Sequence, residues 1–149
     1  MRTARLTSSV CIAALVLSAC GSSYKGLSKP EFVKQASAIC TKGAAKANTI
    51  GNSVGNNPTI QQVKDAYSGK LIPAFQDEVT QLRALKPPKA DRAAISKMLD
   101  DLSTGFDQAA TSIKGLKSLQ DLSSLPEPAG LKAANKEAKA YGLGKCSGS

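Results

Sequence analysis

The chain has 149 residues with a formal net charge of +9; 42% of the residues are hydrophobic, and His and Trp are absent. This length suits a single domain, and the hydrophobic fraction is ordinary for a folded protein, which excludes wholesale disorder. The absence of His excludes imidazole as a metal ligand, as a general base and as a member of a catalytic triad.

The first 19 residues predict a signal peptide. Arg2 and Arg5 supply a positive start, the run 10–17 is uniformly apolar, and small residues follow at 18–19, where a signal protease cleaves. The apolar run is far shorter than the roughly 20 residues that a membrane-spanning helix needs. We therefore expect residues 1–19 to be removed rather than to remain as a permanent span.

The residues around this cleavage point resemble a lipobox. The sequence Leu17-Ser18-Ala19-Cys20-Gly21 is similar to the lipobox of bacterial lipoproteins, in which a diacylglyceryl group alkylates the cysteine and that cysteine becomes the mature N-terminus. The resemblance implies two or three acyl chains on Cys20, and two or more chains hold a protein stably on a membrane. It places the protein on the extracytoplasmic face of the cell membrane. The alternative is an ordinary secreted protein in which Cys20 is a chance residue.

Two cysteines remain after this processing. Cys11 leaves with the signal peptide and Cys20 carries lipid, so an oxidising compartment favours a disulfide between Cys40 and Cys146. In the chain-entropy model, a loop of about 100 residues stabilises the fold by roughly 4 to 5 kcal/mol. The alternative, free thiols for metal or redox chemistry, lacks a Cys-x-x-Cys pair and a third thiolate. We expect no metal and no other cofactor.

The mature chain is predicted to begin with a tether and then a helix. Residues 20–27 hold the lipidated cysteine and small polar residues, which predict a short flexible tether. The folded domain is expected over 28–149. Ser28 and Glu31 have the spacing of a capping box, and apolar residues then recur at steps of three and four to about Gly51, which predicts the first helix.

Two longer helices are predicted next. Thr59 and Gln62 form a second possible capping box, and the apolar stripe that follows reaches Pro87. Pro73 is expected to kink this helix, because proline removes a backbone donor and clashes with the carbonyl four residues before it. A third helix is predicted from about residue 91 to 119.

A loop and a shorter helix complete the chain. The loop is predicted over 120–130 and keeps a short helical turn around Leu122. The fourth helix is predicted from Leu131, and Gly142 or Gly144 supplies the left-handed residue that ends it.

These elements predict an all-α, up-down four-helix bundle with one disulfide. Antiparallel packing of the first and fourth helices brings Cys146 close to Cys40, whereas parallel packing separates them. Three short stretches resemble small helical lipoproteins of actinobacteria: Ala38-Ile39-Cys40, Leu82-Arg83-Ala84-Leu85-Lys86-Pro87-Pro88 and Ala140-Tyr141-Gly142-Leu143-Gly144-Lys145-Cys146. This resemblance supports the fold and the location and implies no catalytic residue.

No catalytic constellation is recognisable, so we expect a protein that is not an enzyme. Tyr67, Phe75, Phe106 and Tyr141 are candidates to line a ligand cavity between helices, although aromatic residues at helical spacing more often form plain core. Glu78 is the polar exception on the apolar stripe of the second helix. It is either a buried functional carboxylate or an edge residue paired with Lys or Arg.

The charge indicates the class of partner. Without Arg2 and Arg5, 18 positive and 11 negative side chains leave a net charge of +7, which favours contact with an anionic membrane or wall polymer. Export, an aromatic content of 4% and the lack of a dense basic cluster argue against nucleic acid. The preferred hypothesis is a non-enzymatic lipoprotein acting on an envelope protein or polymer. The alternatives are a carrier of a small apolar ligand and an enzyme built on Glu78.

Overall fold

The structure, a computed structural model, describes residues 24–147, which are mainly helical and contain no strand. The predicted signal peptide and Cys20 lie outside the described residues. No helix among residues 24–147 is both long enough and apolar enough to cross a membrane. The α-helices, in chain order, are α1 (Lys29–Ser53), α2 (Ile60–Ala66), α3 (Ile72–Ala84), α4 (Arg92–Gly115), α5 (Leu119–Ser123) and α6 (Ala129–Tyr141).

The capping boxes that the sequence predicts for α1 and α2 are both present. The Ser28 N–H donates to the Glu31 carboxylate over 3.0 Å, and the Ser28 hydroxyl accepts from the Glu31 N–H. Thr59 and Gln62 form the same reciprocal pair at the start of α2. Each box satisfies backbone donors that a helix start otherwise leaves free, which is why the two helices begin at the predicted residues.

A π-helical turn, Tyr67–Leu71, joins α2 to α3 and makes them one continuous rod. The Ile72 N–H donates to the Tyr67 carbonyl five residues earlier, in place of the usual four. Pro73 follows in the first turn of α3, where a residue without an N–H is tolerated. The disturbance predicted at Pro73 therefore takes the form of a widened helical turn just before the proline.

The third predicted helix ends earlier than expected. α4 stops at Gly115 rather than at about Leu119, because Leu116 adopts an extended ψ of 144°. Ser118 is also extended, and its hydroxyl accepts from the Asp121 N–H in a third capping box, which begins α5. This box is not among the capping boxes predicted from the sequence. A serine that caps a new helix offers the backbone an alternative to continuing the old one.

One hydrophobic core lies between α1, α3, α4 and α6. The longer helices each contribute residues that are less than a tenth exposed, and Leu143 closes the core after α6. The buried members are Phe32, Ala36, Cys40, Val79, Leu82, Ile95, Met98, Leu99, Ala134, Ala138 and Leu143.

Side-chain pairs show that neighbouring helices run antiparallel. Arg83 near the end of α3 bonds Asp100 of α4 over 2.7 Å, whereas Phe75 near the start of α3 stacks on Phe106 farther along α4. The α4 and α6 backbones approach closely at a pair of glycines, since a Cβ atom on Gly130 would lie 2.6 Å from the Gly105 nitrogen. Nearer the start of α4, Lys97 bonds Glu137 near the end of α6 over 2.7 Å, so these two helices also run antiparallel.

The predicted disulfide between Cys40 and Cys146 is present, with a Cα–Cα distance of 5.0 Å. Its path differs from the expected one. α6 continues beyond the height of Cys40 to Tyr141, whose ring meets that of Phe32 near the start of α1. Gly142, with φ of +100°, then ends the helix, and the Leu143 N–H donates to the Ala138 carbonyl. The short turn Gly144–Cys146 then brings Cys146 to Cys40 on α1.

The chain just before α1 is held on the loop between α3 and α4. The Leu27 N–H donates to the Lys86 carbonyl over 2.8 Å, and the Tyr24 hydroxyl donates to the Pro87 carbonyl over 2.7 Å. Residues 24–27 therefore belong to the folded domain. The flexible tether predicted over residues 20–27 is therefore not found at residues 24–27, and residues 20–23 lie outside the described residues.

Candidate ligand-binding cleft

A partly open cleft of about 440 Å³ lies between α1, α3, α4 and α6, with α5 and the loop after it along one side. This volume lies in the range of small-molecule sites, which are mainly apolar with a few polar groups. Its large apolar side chains are Tyr67, Ile72, Phe75, Leu102, Phe106, Ile113, Leu122, Leu125 and Leu131. The polar residues that line it are Glu78, Ser112, Glu127, Asn135 and Lys145.

Three of the four predicted cavity aromatics line this cleft. Tyr67 lies on the π-helical turn, Phe75 on α3 and Phe106 on α4, and each side chain is half-buried. The Phe75 and Phe106 rings are nearly parallel, with centroids 4.5 Å apart. Stacked rings on adjacent helices supply a firm apolar wall.

Tyr141 does not line this cleft and instead borders a separate depression between α4 and α6. Its hydroxyl donates to Asp91 over 2.6 Å, and its ring meets the Phe32 ring edge-on with centroids 6.0 Å apart. Desolvation, reinforced by the Asp91 carboxylate, raises the pKa of Tyr141. Helical spacing indicates the face of a residue but not its height, and Tyr141 lies ten residues beyond Leu131, or about 15 Å along α6.

Glu78 lies on α3 at the edge of the cleft, and its side chain faces Gly43 of α1. A Cβ atom on residue 43 would overlap the Glu78 carboxyl group, so glycine makes room for it. None of residues 24–147 donates a hydrogen bond to this carboxyl group or forms an ion pair with it. This finding overturns the expectation of a Lys or Arg partner. Burial raises the pKa of Glu78 to about 7, since desolvation disfavours the charged form.

The other charged residues of the cleft lie in different surroundings. Glu127 is exposed and accepts a hydrogen bond from the Asn135 amide over 3.1 Å. Lys145 is also exposed, next to Cys146, whose disulfide with Cys40 forms part of the cleft wall. The site therefore combines an apolar interior with one half-buried carboxyl group that has no partner in the part of the chain that the structure describes.

Metal ligation finds no support in this part of the chain. Among residues 24–147, no group of three or more His, Cys, Asp or Glu side chains is placed to hold a metal ion.

A second, broader depression of about 780 Å³ lies beside the point where Tyr24 contacts Pro87. Basic side chains border it, including Arg83, Lys86, Lys89 and Arg92.

The chain matches no family model, no curated protein and no solved structure. Its fold and its cleft are therefore not assigned to a family. What the protein binds must be inferred from its own residues.

Proposed function

We propose that this chain is a non-enzymatic, lipid-anchored binding protein of the cell envelope that holds a small, largely apolar ligand in the cleft. The observation that carries this proposal is the cleft of about 440 Å³. Side chains of the four longer helices line it, and they include a pair of stacked phenyl rings. A concave apolar surface with a few convergent polar groups is the usual form of a small-molecule site.

The same proposal describes the fold as an up-down four-helix bundle of α1, the rod of α2 and α3, α4 and α6. The antiparallel pairs described above support it. Bundles commonly bind ligands between facing helices, because side chains from several helices converge on the interior.

The lipid anchor rests on the sequence. A signal peptide over residues 1–19 and the resemblance of residues 17–21 to a lipobox support acylation of Cys20. Three residues separate Cys20 from Tyr24, which is fixed on the Pro87 carbonyl. At no more than about 3.6 Å per residue, Cys20 lies within about 14 Å of Tyr24, so the anchored domain stays close to the membrane.

Basic side chains around the Tyr24 docking point fit this placement. The Arg92 guanidinium lies over the Tyr24 ring, 4.5 Å from its centroid. The exposed cations at this end are Lys25, Lys29, Lys86, Lys89 and Arg92. Each Lys or Arg near an anionic leaflet contributes about 1 kcal/mol of attraction, so this end would face the membrane.

Ligand binding is tested with a fluorophore that brightens in apolar surroundings. The mature protein in zwitterionic lipid nanodiscs is titrated with N-phenyl-1-naphthylamine, and empty nanodiscs give the background. We expect saturable binding at one site per chain. Ala109→Trp, which fills the cleft, should weaken it by about tenfold or more.

The matched control is Thr104→Trp, which adds the same ring to an exposed position of α4 outside the cleft. It should leave the affinity unchanged. Absence of saturable binding, or equal weakening by both substitutions, would contradict binding in the cleft.

The anchor is tested by the intact mass of protein extracted from membranes, with and without reduction. A mature chain that starts at acylated Cys20 is expected. Cys20→Ser should abolish the acyl mass and prevent membrane retention of a mature chain. An unmodified Cys20 in the wild-type protein would remove the anchor from the proposal.

A further inference from the structure

The Glu78 carboxyl group is the polar group of the cleft that the described residues leave without a hydrogen-bond donor. It is half-buried beside apolar side chains, and no described residue donates a hydrogen bond to it. A carboxylate in such surroundings loses hydration without gaining a donor, which costs free energy. A bound ligand that supplies a donor would offset this cost.

The cleft that Glu78 lines, with a volume of about 440 Å³, leaves space for such a ligand. On the α1 side the carboxyl group lies against Gly43 and fills the space that a side chain there would take. Among the other charged residues of the cleft, Glu127 bonds Asn135, and Lys145 forms no ion pair with Glu78. No cation among residues 24–147 therefore competes for the carboxyl group within salt-bridge distance.

We infer that the cleft selects a small amphiphile with an apolar body against Phe75 and Phe106 and a single ammonium group bonded to Glu78. This inference rests on the proposed function, because it names the class of ligand that the cleft accepts. An ammonium group brings both opposite charge and several N–H donors, and charge-assisted bonds are roughly twice as strong as neutral ones. A carboxylate head group would meet like charge, and a hydroxyl group offers a single neutral donor.

The test compares three compounds with the same apolar chain and different head groups. n-Octylamine, n-octanol and octanoate each displace N-phenyl-1-naphthylamine from the mature protein in zwitterionic nanodiscs at pH 8. We expect the amine to bind about tenfold or more tightly than the alcohol, and octanoate to bind most weakly.

Substitutions connect this preference to Glu78. Glu78→Gln keeps the shape and removes the charge, so the amine should lose about tenfold in affinity while the alcohol changes by less than about twofold. Glu127→Gln, at the other carboxyl group of the cleft, is the matched control and should preserve the preference. A preference for the amine that survives Glu78→Gln would overturn the inference.

The pH dependence gives an independent readout on the unsubstituted protein. Ionisation of Glu78 should increase the affinity for octylamine between pH 6 and pH 8, because the amine stays charged over this range. The titratable groups that also line the cleft are Tyr67, Glu127 and Lys145. A flat profile for octylamine would count against Glu78 even if Glu78→Gln failed to fold.

The two proposals fail in different ways. If the fluorophore binds but the three head groups compete equally, the inference about ammonium is wrong and the apolar ligand site stands. If the fluorophore does not bind at all, the proposed ligand site itself is wrong and the inference fails with it.

Discussion

Protonation of a single residue, Glu78, links stability to pH. Burial raises the pKa of its carboxyl group from 4.5 to about 7 in the folded protein, whereas the unfolded chain keeps the ordinary value. The folded state therefore binds this proton more tightly than the unfolded state. It follows that the contribution of Glu78 to stability falls as the pH rises from about 4.5 through about 7.

Glu78→Gln removes this titration. Between pH 5 and pH 8, the free energy of unfolding of the wild-type protein should fall by about 1–2 kcal/mol more than that of the variant, after a reduction for solvent screening of a half-buried group. Urea denaturation at both pH values measures the difference. Glu127→Gln should behave like the wild type, and an identical pH response of wild type and Glu78→Gln would show that Glu78 does not titrate as described.

The limits of sequence analysis at the residue scale lie in packing. Tyr67, Phe75 and Phe106 could be recognised as cleft residues because helical periodicity places them on the inner face. Tyr141 fits the same periodicity, yet its position along α6 depends on where the helix crosses its neighbours. The missing partner of Glu78 could not be predicted, because it depends on which side chains surround the carboxyl group.

At the scale of elements, local signals predict the starts of α1 and α2 and the glycine that ends α6, but neither the end of α4 nor the start of α5. The Ser28 and Thr59 capping boxes involve residues three apart, so they can be recognised from the sequence alone. The end of α4 depends on competition between its continuing apolar stripe and the Ser118 cap. The π-helical turn before Pro73 could not be predicted, because it depends on how the rod of α2 and α3 accommodates a proline that has no N–H donor.

The α4–α6 contact depends on two glycines. A Cβ atom on Gly105 would lie 2.4 Å from the Leu131 backbone nitrogen, and one on Gly130 would lie 2.5 Å from the Asp101 carbonyl oxygen. Both obstacles are backbone atoms, which cannot rotate away as a flexible side chain can. A methyl group at either position should therefore separate the helices.

Gly105→Ala is expected to destabilise the protein by about 1–3 kcal/mol, as overpacking of a tight interior does. Gly115→Ala is the matched control, because it lies on the same helix and a Cβ atom there meets nothing within 4 Å. The control should be neutral or stabilise by up to about 1 kcal/mol. Thermal or urea denaturation distinguishes them, and a neutral Gly105→Ala would contradict the close approach.

At the scale of the whole molecule, one covalent bond connects the first and last parts of the fold. The disulfide joins residues 106 apart in sequence, and Cys40 is buried in the core. A bond of this span restricts the unfolded chain much more than the folded one.

Reduction is expected to lower the free energy of unfolding by roughly 4 to 5 kcal/mol, the entropy expected for a loop of about 100 residues. Urea denaturation with and without reductant measures this loss. The double variant Cys40→Ala and Cys146→Ala should be less stable than the oxidised wild type and insensitive to reductant. A wild-type protein that loses no stability on reduction would contradict this role of the disulfide.

The docking of Tyr24 on Pro87 also bears on how a bound molecule would enter and leave the anchored protein. This contact lies beside the start of α4, whereas Phe106 lies 14 residues beyond Arg92, or about 21 Å farther along that helix. In the proposed anchored state the cleft would thus stand away from the bilayer surface. Loading and release would then occur from the aqueous space of the envelope, and a diffusing acceptor could collect the cargo without touching the lipid.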